Sequence, residues 1–306
     1  MNVRAPEKAD LEAVLEVLRA TDSSVAGDSD WTASDLADEW AELDVARDAW
    51  LFELDATVAG YASFYVRGGR FQGDGYVHPD FRNRGIGSEI LRVTEERARA
   101  EEASVPGGER VYLQNATLDD DDCTQWFYRA HGYVPVRGFS GMTIDLEEEP
   151  EVPRVPGIRI RTVDHPTEAR AVHEAHQEAF ATHWEFRPMP WEEWEEKRLG
   201  KETFDPTLWW VAVDGDRVAG VSLCVHKRSP DQGWVDALGV RPEYRRRGIA
   251  EALLKTAFAE FFRRGERKVG LGVDAESPTG ATRLYHRAGM RTLWRAVVWE
   301  KELRAG

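Results

Sequence analysis

The chain states one long passage twice. Residues 76–91 read YVHPDFRNRGIGSEIL, and residues 239–254 read GVRPEYRRRGIAEALL. The offset is 163 at both landmarks, from Pro79 to Pro242 and from Gly85 to Gly248. A second echo, FYRAHGY at 127–133 and LYHRAGM at 284–290, aligns Tyr128 with Tyr285 at an offset of 157. Repeats spaced this widely are not a solenoid of short units; they point to two copies of one domain. A length of 306 residues suits such a pair.

The stretch EEEPEVPRVPG (147–157) combines acids, three prolines and a closing glycine. It reads as a linker over 148–157 between expected domains 1–147 and 158–306. Each copy then follows one programme. Short strands open at Val3-Arg4 and Ile160-Arg161, and helical spacing follows over 8–20 and 167–180, with Leu11, Val14, Leu15 and Leu18 on one face. Hairpins are expected over 49–66 and 208–225, the second turning at Asp214-Gly215. A fourth strand ends at Val77 or Val240, and the glycine-rich turn leads into a long helix, 88–103 or 250–264. A strand, a helix carrying Tyr128 or Tyr285, and a closing strand complete the copy. The expected fold is a mixed α/β (α+β) domain built twice.

Charge is divided unevenly. Residues 1–150 hold 14 Lys/Arg against 31 Asp/Glu, a net −17, whereas residues 151–306 hold 26 against 24, a net +2. So acidic a chain is a poor nucleic-acid binder, because it repels phosphates instead of releasing their counterions. No run approaches the ~18 apolar residues of a membrane span. The N-terminus reads directly into a strand and a charged helix, without a signal peptide. Cys123 and Cys224 form no disulfide framework, so a reduced, cytoplasmic setting is expected. Nothing in the sequence decides between a monomer and a homodimer.

In Arg245-Arg246-Arg247-Gly248-Ile249-Ala250 an apolar strand passes through a glycine into a helix. Glycine permits the tight turn, and the first helical turn offers unpaired N–H groups and a positive dipole end. Such a turn can receive a pyrophosphate, with arginines adding charge-assisted hydrogen bonds. A tight helix start with a solvated basic face is the plainer alternative. Its recurrence in the first half and the tyrosine downstream favour the receptor.

At these residues both halves resemble GNAT-type N-acetyltransferase domains. The family's [QR]-x-x-G-x-[GA] signature is matched by Arg82, Gly85 and Gly87, with Arg84 and Ile86 between them, and by Arg245, Gly248 and Ala250. The resemblance implies acetyl-CoA held by the turn amides, with pantetheine paired to the end of the preceding strand. In the second half that end is Leu238, Gly239 and Val240; in the first it is Val77. The layout also resembles the actinobacterial double-GNAT proteins of the mycothiol-synthase type. Many family members carry Asn in the segment corresponding to 274–280, where this chain offers Ser277.

The resemblance makes Tyr285 the expected acid for the leaving thiolate, against a plainer role as a packed aromatic. Asp236 interrupts an apolar strand and must be hydrogen-bonded, exposed in a cleft, or both. It is the candidate base, against a purely structural carboxylate. Its counterpart in the first half is Gly73, which is no carboxylate, although Asp74 is adjacent. The acidic run Asp119–Asp122 and the net −17 make the first half the expected degenerate partner and the second the catalytic one.

Trp184, Trp191 and Trp194 lie among Glu185, Glu192, Glu193, Glu195 and Glu196. They read either as a pocket for a cationic small-molecule amine or as a solvated acidic helix with tryptophans in the core. His173, His176 and His183 lack the further ligands of a metal site, so none is expected. The expected activity is direct transfer of acetyl from acetyl-CoA to a primary amine. The alternatives are a mycothiol-synthase-like acetylation of a cysteinyl pseudodisaccharide, and a non-catalytic CoA-binding sensor or scaffold.

Overall fold

The computed structural model describes residues 1–27, 29, 31–67, 70–201, 204–226, 232–277 and 279–306. They form two compact units, one of residues 1–137 with 296–306 and one of residues 138–295. The first unit runs through β1 (Asn2–Arg4), α1 (Leu11–Ala26), α2 (Ala33–Glu42), α3 (Val45–Asp48), β2 (Ala49–Leu54), β3 (Thr57–Arg67), β4 (Arg70–Val77), α4 (Ile86–Glu101), β5 (Val111–Leu118), α5 (Asp122–Ala130) and the start of β6 (Val134–Asp145). The second unit holds the rest of β6, then β7 (Arg159–Thr162), α6 (Ala169–Phe180), α7 (Trp191–Leu199), β8 (Trp209–Asp214), β9 (Arg217–His226), β10 (Gln232–Val240), α8 (Ile249–Arg263), β11 (Lys268–Asp274), α9 (Ala281–Arg287) and the start of β12 (Arg291–Arg304). The remainder of β12, from Ala296, belongs to the first unit.

In the first unit the strands lie in the order β1-β2-β3-β4-β5-β12, with Ala296 opposite Leu118 and Arg304 opposite Val111. In the second the order is β7-β8-β9-β10-β11-β6, with Asp145 opposite Lys268 and Phe139 opposite Asp274. Each unit's sheet is thus closed by the strand that ends the other sequence repeat.

The expected helices and hairpins form within a few residues of their sequence positions, and β4 and β10 end at Val77 and Val240. Helical spacing explains why α1 buries Val14, Leu15, Val17 and Leu18; of these, Val14, Leu15 and Leu18 pack with Leu51 and Tyr61. Helix α8 is apolar around most of its circumference; Leu254, Phe258 and Phe261 sit in a core with Val235, Leu271 and Tyr285. Each such side chain contributes about 1.5–3 kcal/mol through burial. That packing anchors the helix that follows the turn.

Candidate functional site

Both glycine-rich turns have the same backbone. Gly85 and Gly248 cap α4 and α8 at φ 82° and 80°, in the left-handed region that glycine occupies without strain. Two residues earlier, Asn83 and Arg246 both stand at φ 63°, a conformation that Asn tolerates better than Arg. Beyond each glycine, the first helical N–H groups lack intrahelical acceptors.

The second unit opens a cleft beside its turn. Strands β10 and β11 pair in parallel only from Gln232–Lys268 to Trp234–Gly270, where their ladder ends. A cavity of about 610 Å³ occupies this part of the unit. Its wall includes Leu238, Gly239, Val240, Arg245, Arg246, Gly248, Ile249, Ala250, Ser277, Tyr285 and Asp236, so most of the expected site residues converge. Gly239 lets α6 approach the strand: a methyl there would lie 2.7 Å from Ala179 Cβ.

Two of the three arginines serve other partners. Arg245 donates from Nε to the Val240 carbonyl and from Nη2 to the Ala179 carbonyl, at 3.2 and 2.9 Å. It braces the turn while still lining the cavity. Arg247 is not in the cavity wall; its guanidinium lies over the Tyr244 ring and 3.8 Å from Asp214. Arg246 is exposed and lines the cavity.

Asp236 is both paired and cleft-facing. The β9–β10 register slips between Val235 and Ala237, so Asp236 is the extra residue of a β-bulge, a device that re-aims a side chain. It forms an ion pair with Arg198 of α7. Burial lowers the pKa of Arg198 and drives that of His176 down to about 3, with Arg198 nearby adding to the His176 shift. Tyr285 is buried, and desolvation pushes its phenol up to about 12. It therefore presents a protonated donor at neutral pH. Ser277 Oγ lies 2.8 Å from Thr279 Oγ1, so it already has a local partner.

The acidic tryptophan segment divides. Trp194 is a core residue packed with Val172 and Trp209, and Glu192, Glu193, Glu195 and Glu196 are exposed. This corrects the reading of α7 as a carboxylate-lined pocket. Trp184 alone of the three stands by the cavity, against Phe139. His173 is committed to the Met189 carbonyl at 2.8 Å, and no group of three or more metal-binding side chains occurs among the described residues. Sequence reasoning missed Phe139, Asp274 and Arg198, and weighed His183 only as a metal ligand. No local pattern marks Phe139, which arrives on β6, or Arg198, near the end of a charged helix.

The first unit surrounds its turn with different side chains. Phe127 packs against the turn, so that a methyl at Gly87 would lie 3.2 Å from its Cζ. His131 contacts Ser88 Oγ at 3.2 Å and packs on Phe127 at 4.2 Å. Arg82 donates to Ser24 Oγ at 2.7 Å, and Arg84 lies over the Phe81 ring. Ile86 is in the core with Phe52, and Val77 packs at its edge. Tyr128 is buried, stacked 5.9 Å from Trp299, with its phenol pushed well up by burial. The β3–β4 ladder keeps one register from Arg70 to Val77, so Gly73 has neither a carboxylate nor a bulge.

Comparison with known proteins finds one family in both halves of the chain. The model of the acetyltransferase (GNAT) family matches residues 170–290, and that of an acetyltransferase (GNAT) domain matches residues 46–135. A mycothiol acetyltransferase of Geodermatophilus obscurus is 30% identical over 267 residues, which span 83% of this chain and 82% of that protein. One of Mycolicibacterium paratuberculosis is 32% identical over 234 residues, 71% and 69% of the respective chains. The structure of a GCN5-related N-acetyltransferase from Sphaerobacter thermophilus superposes with a TM-score of 0.90 at 36% identity, covering 100% of this chain and 96% of that one. A tandem GNAT protein from the clavulanic acid biosynthesis pathway shares the fold, with a TM-score of 0.76 at 16% identity over 100% and 99% of the two chains.

Proposed function

The chain belongs to the GNAT family of acetyltransferases, with two such domains in tandem, and from that premise we propose that its second unit transfers acetyl from acetyl-CoA directly to a primary amine. The observation that carries this reading is the convergence of the Gly248 turn, Tyr285 and the bulged Asp236 on one cavity. The amides following Gly248 would hold the pyrophosphate, helped by Arg246, while Leu238, Gly239 and Val240 would pair with pantetheine. The first unit, where Phe127 abuts Gly87 and Gly73 stands in place of Asp236, would have a structural role.

An amine with a lysine-like pKa near 10.4 is neutral about once in 2,500 molecules at pH 7, a cost of roughly 4.6 kcal/mol. In the proposed reaction the neutral nitrogen attacks the thioester carbonyl carbon, an N–C bond forms and the C–S bond breaks. The thiolate leaves with the Tyr285 proton, the nitrogen's surplus proton passes through water to Asp236 and on to solvent, and solvent returns a proton to the Tyr285 phenolate. Arg198 would keep Asp236 oriented toward the acceptor.

Amine-dependent release of CoA thiol tests the assignment. Tyr285→Phe is expected to retain acetyl-CoA affinity and lower kcat by about 10–100-fold, the lower end of general-acid contributions. An unchanged kcat would remove Tyr285 from the chemistry. The relatives called mycothiol acetyltransferases favour a second reading, in which the acceptor is a cysteinyl pseudodisaccharide.

A further inference from the structure

The ladder between β10 and β11 ends at Trp234–Gly270. Two residues beyond that pair stand Asp236 and Gly272, and both line the cavity. The two positions thus stand at the same level where the strands begin to part. They also share a face of the sheet. Val269, Leu271 and Val273 pack with Leu254 and Phe258 of α8, so strand alternation turns Gly270 and Gly272 to the opposite side. That side carries α6 and α7: Ala237 packs there with Val172 and Trp194, and Asp236 reaches Arg198 of α7.

Gly270, Gly272 and Gly141 lie on this face, Gly141 directly opposite Gly272 in the β11–β6 ladder. Two of the three make room for a ring. A methyl at Gly270 would lie 2.6 Å from Trp234 Cζ3, and one at Gly141 would strike the Trp294 indole. A methyl at Gly272 would meet nothing within 4 Å. A glycine inside a strand weakens it, and it marks a bulge, a sharp bend or the close approach of another group. The β11–β6 register is continuous from Lys268 to Asp274, and Gly272 is not among the glycines at positive φ. Neither a bulge nor a turn accounts for it, and among the described residues no atom uses the space. The gap adjoins the carboxylate assigned as the base.

We propose that the acceptor lies over Gly272, between Trp234 and Trp294, and that the bare backbone there admits a bulky arm beside Asp236. The inference rests on the acetyl-CoA-to-amine reading above and narrows its acceptor to a primary amine on a branched or ring-bearing arm. A side chain at 272 would fill the gap from its floor, so its size sets the largest acceptor that reaches the thioester.

The test uses the full-length chain at saturating acetyl-CoA, with CoA release measured for cyclohexylmethylamine and methylamine. In wild type the larger amine is expected to exceed the smaller at least about tenfold in kcat/KM. Gly272→Val is expected to cut that ratio about tenfold, mainly through KM, and Gly272→Ala to cut it about threefold. Valine suits an extended strand, and a thermal midpoint close to that of wild type establishes that each variant is folded. If Gly272→Val does not fold, Gly272→Ala decides. A ratio unchanged in the folded variants, or a wild-type preference for methylamine, overturns the inference and leaves the acetyltransferase reading standing. So does a loss of acetyl-CoA affinity in folded Gly272→Val, which would put the cosubstrate over Gly272 instead of the acceptor. Acetyl-CoA binding without turnover of either amine also overturns it. Failure of the wild type to bind acetyl-CoA removes the underlying reading as well.

Discussion

The two glycine turns match in backbone and differ in what surrounds them. Gly85 and Gly248 cap their helices at φ 82° and 80°, and the residues two before them share a φ of 63°. Around the second turn, Leu284 and Tyr285 border a cavity and the preceding strand carries a bulged carboxylate. At the first, Phe127 takes the place of Leu284 and lies against Gly87, Gly73 replaces Asp236 in an unbulged strand, and Tyr76 replaces Gly239. A turn repeated in both halves is thus a fold feature first. Whether it becomes a ligand site depends on neighbours a few residues away.

That contrast can be broken most forcefully at the bulge. Asp236→Asn keeps the shape and an acceptor oxygen for Arg198 but removes the charge, and kcat/KM is expected to fall about 100-fold or more. Gly73→Asp in the first unit is expected to leave CoA release unchanged. A loss of less than about threefold for Asp236→Asn, far below the range for a general base, would separate the bulge from the chemistry.

A smaller effect is expected at Gly239. Gly239→Ala forces a methyl to within 2.7 Å of Ala179 Cβ, so the unfolding free energy should drop by about 1–3 kcal/mol in denaturant titration. Unaltered stability would mean that α6 yields freely and that close approach is not what the glycine secures.

Phe127→Leu copies the second unit into the first. Its cost should stay below about 1.5 kcal/mol, the low end for large-to-small apolar exchanges, because Phe127 is only half-buried. No new turnover is expected, because Gly73 still supplies no carboxylate. Added activity that survives Asp236→Asn would show the first unit to be catalytic.

The smallest expected effect is an absence of one. Burial raises the Tyr285 phenol from its usual 10 to about 12, which favours the protonated form. The donor therefore remains loaded as pH rises through 10, and kcat should show no downward limb from Tyr285 between pH 8 and 10. A fall in kcat near pH 10 that disappears in Tyr285→Phe would mean that the phenol is more solvated than the structure has it.

The sequence made the repeat, the turns and the strand ends at Val77 and Val240 legible, because each rests on local rules: helical spacing, glycine before a helix, apolar strands before a turn. Asp236 stood out as a charge in an apolar strand, although the bulge that aims it is a register event between β9 and β10. The remainder depended on distant partners. The segment VPVRGFSGMTID at 134–145 reads as an ordinary closing strand and carries no sign that its second half will pair with β11 and bring Phe139 to the cavity. Arg245 and Arg247 look alike in sequence, and only the carbonyls of Val240 and Ala179 on one side and the Tyr244 ring on the other separate their roles. Trp194 and Trp184, ten residues apart, likewise differ only in what folds against them.

The most direct test is calorimetric titration of acetyl-CoA into wild type, Gly85→Glu and Gly248→Glu. Both glycines have nearly the same φ, and a Cβ added at either would meet no atom within 4 Å, so the two substitutions carry matched structural costs. The account predicts one binding site that Gly248→Glu abolishes and Gly85→Glu leaves intact. Binding lost with Gly85→Glu and kept with Gly248→Glu would contradict it.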